Sequence, residues 1–264
     1  MRELKAAQPN AAGVVAATRG NHGQSVAFAA RAHGLAATIV VPEGNSTEKN
    51  AAMRAFGAEL VVYGHDFQAA LEHAQELADA RGLIMVPSFA DTLVAGVASY
   101  AMELFATAPD LDTLYVPIGL GSGIAACIAA REALGLTTKI VGVVAEAAPA
   151  YALSFDKGEP ISTNSADTMA DGLACRVPVP DAVEIINCYA ERVVTVSDDA
   201  IRAAMRHCFT DTHNVAEGAG AAALAALLTE REAMAGKTVG VVLSGGNIDR
   251  EVYGDVLACA DDKE

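Results

Sequence analysis

The sequence predicts an α/β protein built on mostly parallel, twisted sheets, and three observations carry that prediction. Short apolar runs bounded by Gly or Pro alternate with helix-period stretches, the pattern left by strand, crossover helix and parallel strand. The 264 residues are 52% hydrophobic and 19% charged, which suffices for one large or two modest domains with ample core. Three of the apolar runs end in loops of glycine and polar residues, and ligands of open α/β sheets bind beyond the carboxyl ends of strands.

The first strand, residues 13–16, leads through Thr18-Arg19-Gly20-Asn21-His22-Gly23 into an amphipathic helix followed by Gly34. A second strand at 37–41 is stopped by Pro42, and a helix at 47–56 ends before Gly57. Strands at 59–63 and 83–86 flank a helix at 67–81 that Gly82 closes. A helix over 93–105 precedes a strand at 113–116, after which Gly119, Gly121 and Gly123 open a helix reaching Leu134. After a strand at 140–145, residues 147–180 are the least regular and read as surface or site-lining chain. The strand at 192–196 meets Ser197-Asp198-Asp199, which can cap a helix over 199–210. An Ala-rich helix at 217–230 suits close packing, and the last strand, 239–243, runs into Ser244-Gly245-Gly246-Asn247.

The net charge of −15 excludes a nucleic-acid partner, which would call for clustered Lys and Arg. No membrane partner is expected, because no run reaches the ~18 apolar residues of a span, and Met1-Arg2-Glu3-Leu4-Lys5 leads into no signal-like segment. A cytoplasmic location follows. Five widely spaced cysteines without a C-x-x-C pair suit reduced thiols rather than disulfides or zinc. The histidines show no H-E-x-x-H spacing.

Glycines between a strand and a helix let successive backbone N–H groups converge on an anion, with the helix dipole adding positive potential. Gly119, Leu120, Gly121, Ser122 and Gly123 are therefore a candidate phosphate cradle, and tight strand-to-helix packing is the competing explanation. A dinucleotide fingerprint would need a third glycine where Ile124 stands, although Glu146 ends the next strand as that fold would require. A P-loop fails because no Gly-Lys-Ser/Thr follows.

Taken in order, "TRGNHGQ", "GLGSG", "ADG", "EGAGA" and "LSGGN" resemble the serine/threonine dehydratase and serine racemase family of pyridoxal-phosphate enzymes, across nearly the whole chain. The resemblance implies the two-domain tryptophan-synthase-β-like fold (fold type II), with helices on both sheet faces. Residues 1–12 would be a hinge left from the large domain, 13–92 the small domain, and 93–264 the large cofactor-binding domain. Asn21 would bond the ring hydroxyl of pyridoxal phosphate, residues 119–123 would hold its phosphate, and Ser244 would face its pyridine nitrogen. Thr18, Arg19, Gly20 and His22 would bind the substrate, with Thr18, Gly20 and His22 lining its carboxylate pocket through O–H and N–H donors.

The implied reaction is β-elimination from a small amino acid, L-serine or L-threonine, to a 2-oxo acid and ammonia, in a homodimer. Arg19 stands where racemase members carry an acid/base serine, which disfavours racemisation. Glu146 and Ala150 fit a divalent-metal site of some relatives, but Ala152 replaces its Asp, so no metal is expected. Gly96-Val97-Ala98-Ser99 replaces the usual Gly-Gln-Gly-Thr, leaving the identity of the amino acid open. Asp171 and Glu217 fall in family motifs, with surface or capping roles as the alternative. The family's Schiff-base lysine is expected upstream of Met1, Lys5 being too close to the Asn-His loop. The alternatives are a non-catalytic cofactor- or amino-acid-binding homologue and an amino-acid racemase.

Overall fold

Among residues 1–259, which the computed structural model describes, eight strands pair into two parallel four-stranded sheets. Each sheet belongs to its own compact unit. The first unit is Met1–Ser88 with Asn247–Arg250, and the second is Phe89–Gly246 with the chain from Glu251.

In the first unit the order is β3 (Glu59–Val62), β2 (Ala37–Val41), β1 (Val14–Ala17), β4 (Ile84–Met85). Strand alternation sends Val14 and Ala16 to one face, against α2 (Asn21–Ala32) and α3 (Thr47–Ala55), and Val15 and Ala17 to the other, against α4 (Phe67–Arg81). Both faces of β1 are covered, and all four of its residues are apolar and buried. Ser46 caps α3 by accepting the Lys49 N–H at 3.0 Å, and Asp66 caps α4 through Ala69 N–H at 2.8 Å. Met1 and Leu4, flanking and within the short α1 (Arg2–Ala7), pack against the same core as α2 and α3.

The second unit repeats the order with β7 (Arg192–Val196), β6 (Lys139–Ala145), β5 (Thr113–Pro117) and β8 (Val239–Val241). One face is buried by α5 (Asp91–Thr107), α6 (Ser122–Leu134), α7 (Ala150–Lys157) and α8 (Pro180–Tyr189), around Phe105, Leu114, Ile124, Ile140, Tyr151 and Ile186. α9 (Asp198–Thr212) packs on α10 (Gly218–Thr229), which lies against β5, β6 and β7. The alanines of α10 are almost all buried, so it has no polar stripe. The last helix is α11 (Arg250–Ala258).

Where the sequence reads as irregular, residues 147–180 contain α7 and a single 3₁₀ turn, Asp171–Leu173. The helix is two turns long and closed by Gly158 in the left-handed region at φ +76°, too short to impose a periodic pattern. Inside it Ser154, fully buried, donates to Ala150 O at 2.7 Å and accepts Ile161 N–H at 2.9 Å. Strand β8 also ends earlier than its apolar run, at Val241, while Val242 N–H still donates to Tyr115 O at 3.0 Å.

Candidate functional site

In both sheets the strand order reverses beside the first strand, between β1 and β4 and between β5 and β8. Loops leaving the carboxyl ends of adjacent strands diverge at such a switch point, and a crevice forms there. The polar and glycine loops singled out in the sequence follow β1, β5 and β8.

In the first unit, Thr18 is buried, and its Oγ1 accepts Gly20 N–H at 2.9 Å and Gly23 N–H at 3.3 Å. These are two of the first-turn amides of α2 that the helix itself leaves without partners. Thr18 thus clasps the loop, and its hydroxyl hydrogen remains as a donor. His22 turns its ring toward Val86, just beyond β4, with Nε2 3.5 Å from the carbonyl. Burial lowers its pKa below the ordinary histidine value, against the weaker opposing effect of that contact. Asn21 is exposed, and its Oδ1 accepts Asn247 Nδ2–H at 2.7 Å. Arg19 is half-buried, and its Nε is enclosed without a hydrogen-bond partner.

The chain after β8 also contributes to this unit. Asp249 accepts Ser46 Oγ–H at 2.5 Å and the Thr47 and Glu48 N–H groups at 3.2 Å each. Burial opposes the charged form of Asp249, but these bonds and the Lys49 charge outweigh it and hold the carboxyl below its usual range. Nothing in the sequence pattern distinguished Asp249 from an ordinary helix-capping acid.

In the second unit the β5–α6 loop is shaped by what its glycines exclude. A Cβ at Gly119 would lie 2.4 Å from the Gly172 carbonyl oxygen. Gly121 has φ +97°, and a Cβ there would lie 2.6 Å from Ala182 Cβ. Only backbone fits at these positions, so the loop offers bare amides at the positive end of α6. The ladder of α6 begins with Ala125 N–H donating to Gly121 O at 3.0 Å, and the amides before it lie in the unpartnered first turn. These features suit a phosphate group.

On the adjacent strand, Ser244 is exposed after β8. The next residue is held in place, since Glu217 N–H donates to Gly245 O at 3.1 Å. A Cβ at Gly220 would lie 2.2 Å from that same carbonyl. Asp171 and Gly172 lie in the 3₁₀ turn that crosses Gly119, and Glu217 is buried at the start of α10. Glu146 is exposed beyond β6, with Ala150 and Ala152 on α7. Among the described residues no cluster of three or more His, Cys, Asp or Glu could hold a metal ion. Tyr151, with its hydroxyl on the Leu120 carbonyl at 2.9 Å, escaped the sequence reading because it lies in the stretch taken as irregular.

Comparison with known proteins gives the arrangement a context. The family model described as pyridoxal-phosphate dependent enzyme matches residues 1–245. An L-threonine ammonia-lyase of Geobacter sulfurreducens is 39% identical over 241 residues, covering 90% of this chain and 60% of the relative. Threonine deaminase isoform 2 of Solanum lycopersicum is 30% identical with a TM-score of 0.86, over 94% of this chain and 74% of that one. A pyridoxal 5'-phosphate-dependent aspartate racemase is 32% identical with a TM-score of 0.88, over 95% and 78%. The chain spans 48% to 60% of the length of the first curated relatives it matches.

Proposed function

The chain belongs to the pyridoxal-phosphate dependent enzymes, and from that premise we propose that it is part of a lyase removing ammonia and the β-hydroxyl from L-threonine or L-serine. The water released in the elimination is taken up again in hydrolysis, so the net products are a 2-oxo acid and ammonia. The observation that carries the reading is the β5–α6 loop, whose amides are bared by Gly119 and Gly121 at a helix N-terminus. The likeness to L-threonine ammonia-lyase at 39% identity supports the substrate class.

In this reading Gly119, Leu120, Gly121, Ser122 and Gly123 hold the phosphate with fixed dipoles, which a chain of charge −15 needs in place of net positive charge. Asn21, whose Oδ1 accepts from Asn247, bonds the ring hydroxyl. The Thr18 hydroxyl hydrogen and the His22 N–H take the substrate carboxylate, since the Gly20 amide already donates to Thr18. Ser244 gives the pyridine nitrogen a neutral hydroxyl rather than a carboxylate. When bound, the cofactor supplies the electron sink for charge that develops at the substrate α-carbon. A guanidinium is a poor acid/base, and Arg19 stands where racemase members carry a serine, so the reading favours elimination over racemisation. A homodimer and a cytoplasmic setting complete it, and the free state of all five cysteines supports the latter.

Two measurements test the proposal. Pyridoxal phosphate should bind the chain, and G121D should abolish binding while leaving a cooperative melt; equal affinity in G121D would remove the loop from the site. The protein as its gene encodes it should release 2-oxo acid and ammonia from L-threonine or L-serine with little D-serine on chiral chromatography. D-serine formed as fast as pyruvate would overturn the elimination assignment.

A further inference from the structure

We propose that Tyr151 is a positioning residue for phosphate binding: it locks the Leu120–Gly121 peptide so that the Gly121 amide is presented to the anion. The inference rests on the reading of the β5–α6 loop as the phosphate site. Tyr151 sits in the first turn of α7, 2% exposed and surrounded by the core of the second unit. Its hydroxyl donates to Leu120 O at 2.9 Å and accepts Val179 N–H at 3.1 Å. The incoming N–H occupies a lone pair of the phenol oxygen, so the hydroxyl hydrogen is directed at Leu120.

The peptide plane converts this contact into an orientation. In a trans peptide the C=O and the following N–H point in opposite directions, so a Leu120 carbonyl drawn into the core turns the Gly121 N–H away from it. Gly121 is the residue that would otherwise let this peptide rotate. It lies at φ +97°, and glycine populates positive and negative φ about equally. A Cβ built on it would stand 3.4 Å from the Tyr151 hydroxyl, so lock and hinge are neighbours. Burial and the nearby Cys175 push the phenol pKa up, only partly offset by the Val179 N–H, so the hydroxyl stays a donor across neutral pH. The rest of the loop has its own supports: Gly119 packs on Gly172, and Gly123 lies near Tyr100. Leu120 is the loop carbonyl that Tyr151 controls.

The test is Y151F, which keeps the ring in the core and removes only the hydroxyl. Binding of pyridoxal phosphate and of pyridoxal, which lacks the phosphate, is titrated against the chain, Y151F and G121D. The expected result is pyridoxal phosphate affinity lowered roughly tenfold in Y151F, the scale of one hydrogen-bonded orientation lost, with pyridoxal affinity unchanged. A merely structural tyrosine would weaken both ligands alike, and that outcome overturns the proposal. Wild-type affinity for pyridoxal phosphate in Y151F, beside lost binding in G121D, overturns it too while the phosphate loop stands. Equal binding by all three proteins would instead fail the loop reading itself. If Y151F is recovered only with cofactor present, release after dilution is followed: faster release than wild type supports the lock, and the wild-type rate refutes it.

Discussion

Gly23 shows how one residue joins packing to the site. It lies in the first turn of α2, and a Cβ there would stand 2.4 Å from Thr18 Cγ2, 2.6 Å from Met53 Sδ and 2.9 Å from Ile39 Cγ2. Thr18 is also the residue that clasps the loop through the Gly20 and Gly23 amides. The G23A substitution should therefore displace Thr18 and cost about 1–3 kcal/mol, the range for overpacking a filled core, as read by urea unfolding. Gly57 is the control, because a Cβ there meets nothing within 4 Å. Its φ of +93° strains any side chain, whereas Gly23 is helical, so the comparison sets packing alone against backbone strain alone.

At the scale of elements, α10 is tied to its sheet by charge at one end and by backbone contact at the other. Its N-terminal residues Gly218 and Gly220 press on Ala170 and the Gly245 carbonyl. At its C-cap, Glu230 accepts hydrogen bonds from the Tyr115 hydroxyl on β5 and the Arg192 guanidinium on β7, while Arg192 also donates to the Tyr115 oxygen at 3.2 Å. The Arg192 guanidinium lies 5.9 Å from the Tyr115 ring centroid. Burial raises the Tyr115 phenol, and with the Glu230 charge pushes it to about 12, so it donates at all physiological pH values. E230Q removes the charge from a half-buried group that accepts three hydrogen bonds, and it should destabilise the protein by roughly 1–3 kcal/mol. Guanidinium unfolding would register this as a lower midpoint at unchanged slope. An unchanged midpoint would mean that the cluster contributes nothing net.

For the whole molecule the pKa directions predict loss of stability on acidification in two stages. Burial holds His22 below its ordinary value of 6.5, so the unfolded chain takes up that proton first and stability falls as the pH drops below about 6.5. The carboxyls of Glu59, Glu191, Glu230 and Asp249 are held low in the folded state. Their stabilisation is present above the ordinary carboxylate range and is lost as the pH falls through the lowered values. Arg81 dominates for Glu59 and Lys139 for Glu191, while for Glu230 burial opposes the charge and the bonds from Arg192 and Tyr115 outweigh it. Melting curves at stepped pH should show an early decline that H22Q abolishes and a later one that it leaves intact. A decline of equal size in H22Q above pH 5 would place the first stage elsewhere. Magnesium or a chelator should leave the melting temperature unchanged, given Ala152 on α7 and the lack of a carboxylate-histidine cluster among the described residues.

The parallel sheets, the eight strands and the glycine and polar loops that follow β1, β5 and β8 were legible in the residues, because period, glycine placement and capping are local properties. Ser197-Asp198-Asp199 reads as the start of a helix, and Ser197 accepts the Ala200 N–H at 3.2 Å. The two short helices around residues 150 and 180 were not legible, since two or three turns carry too little period to read. The same limit hid Tyr151 and Asp249. Their roles rest on partners 31 and about 200 residues away in sequence, Leu120 for one and Ser46 to Glu48 for the other. The sequence by itself determined the strands, the longer helices and the glycine and polar loops between them. Only the tertiary structure decided which buried hydroxyl or carboxylate holds each loop, because a hydrogen bond between distant residues leaves no mark on the local pattern of either.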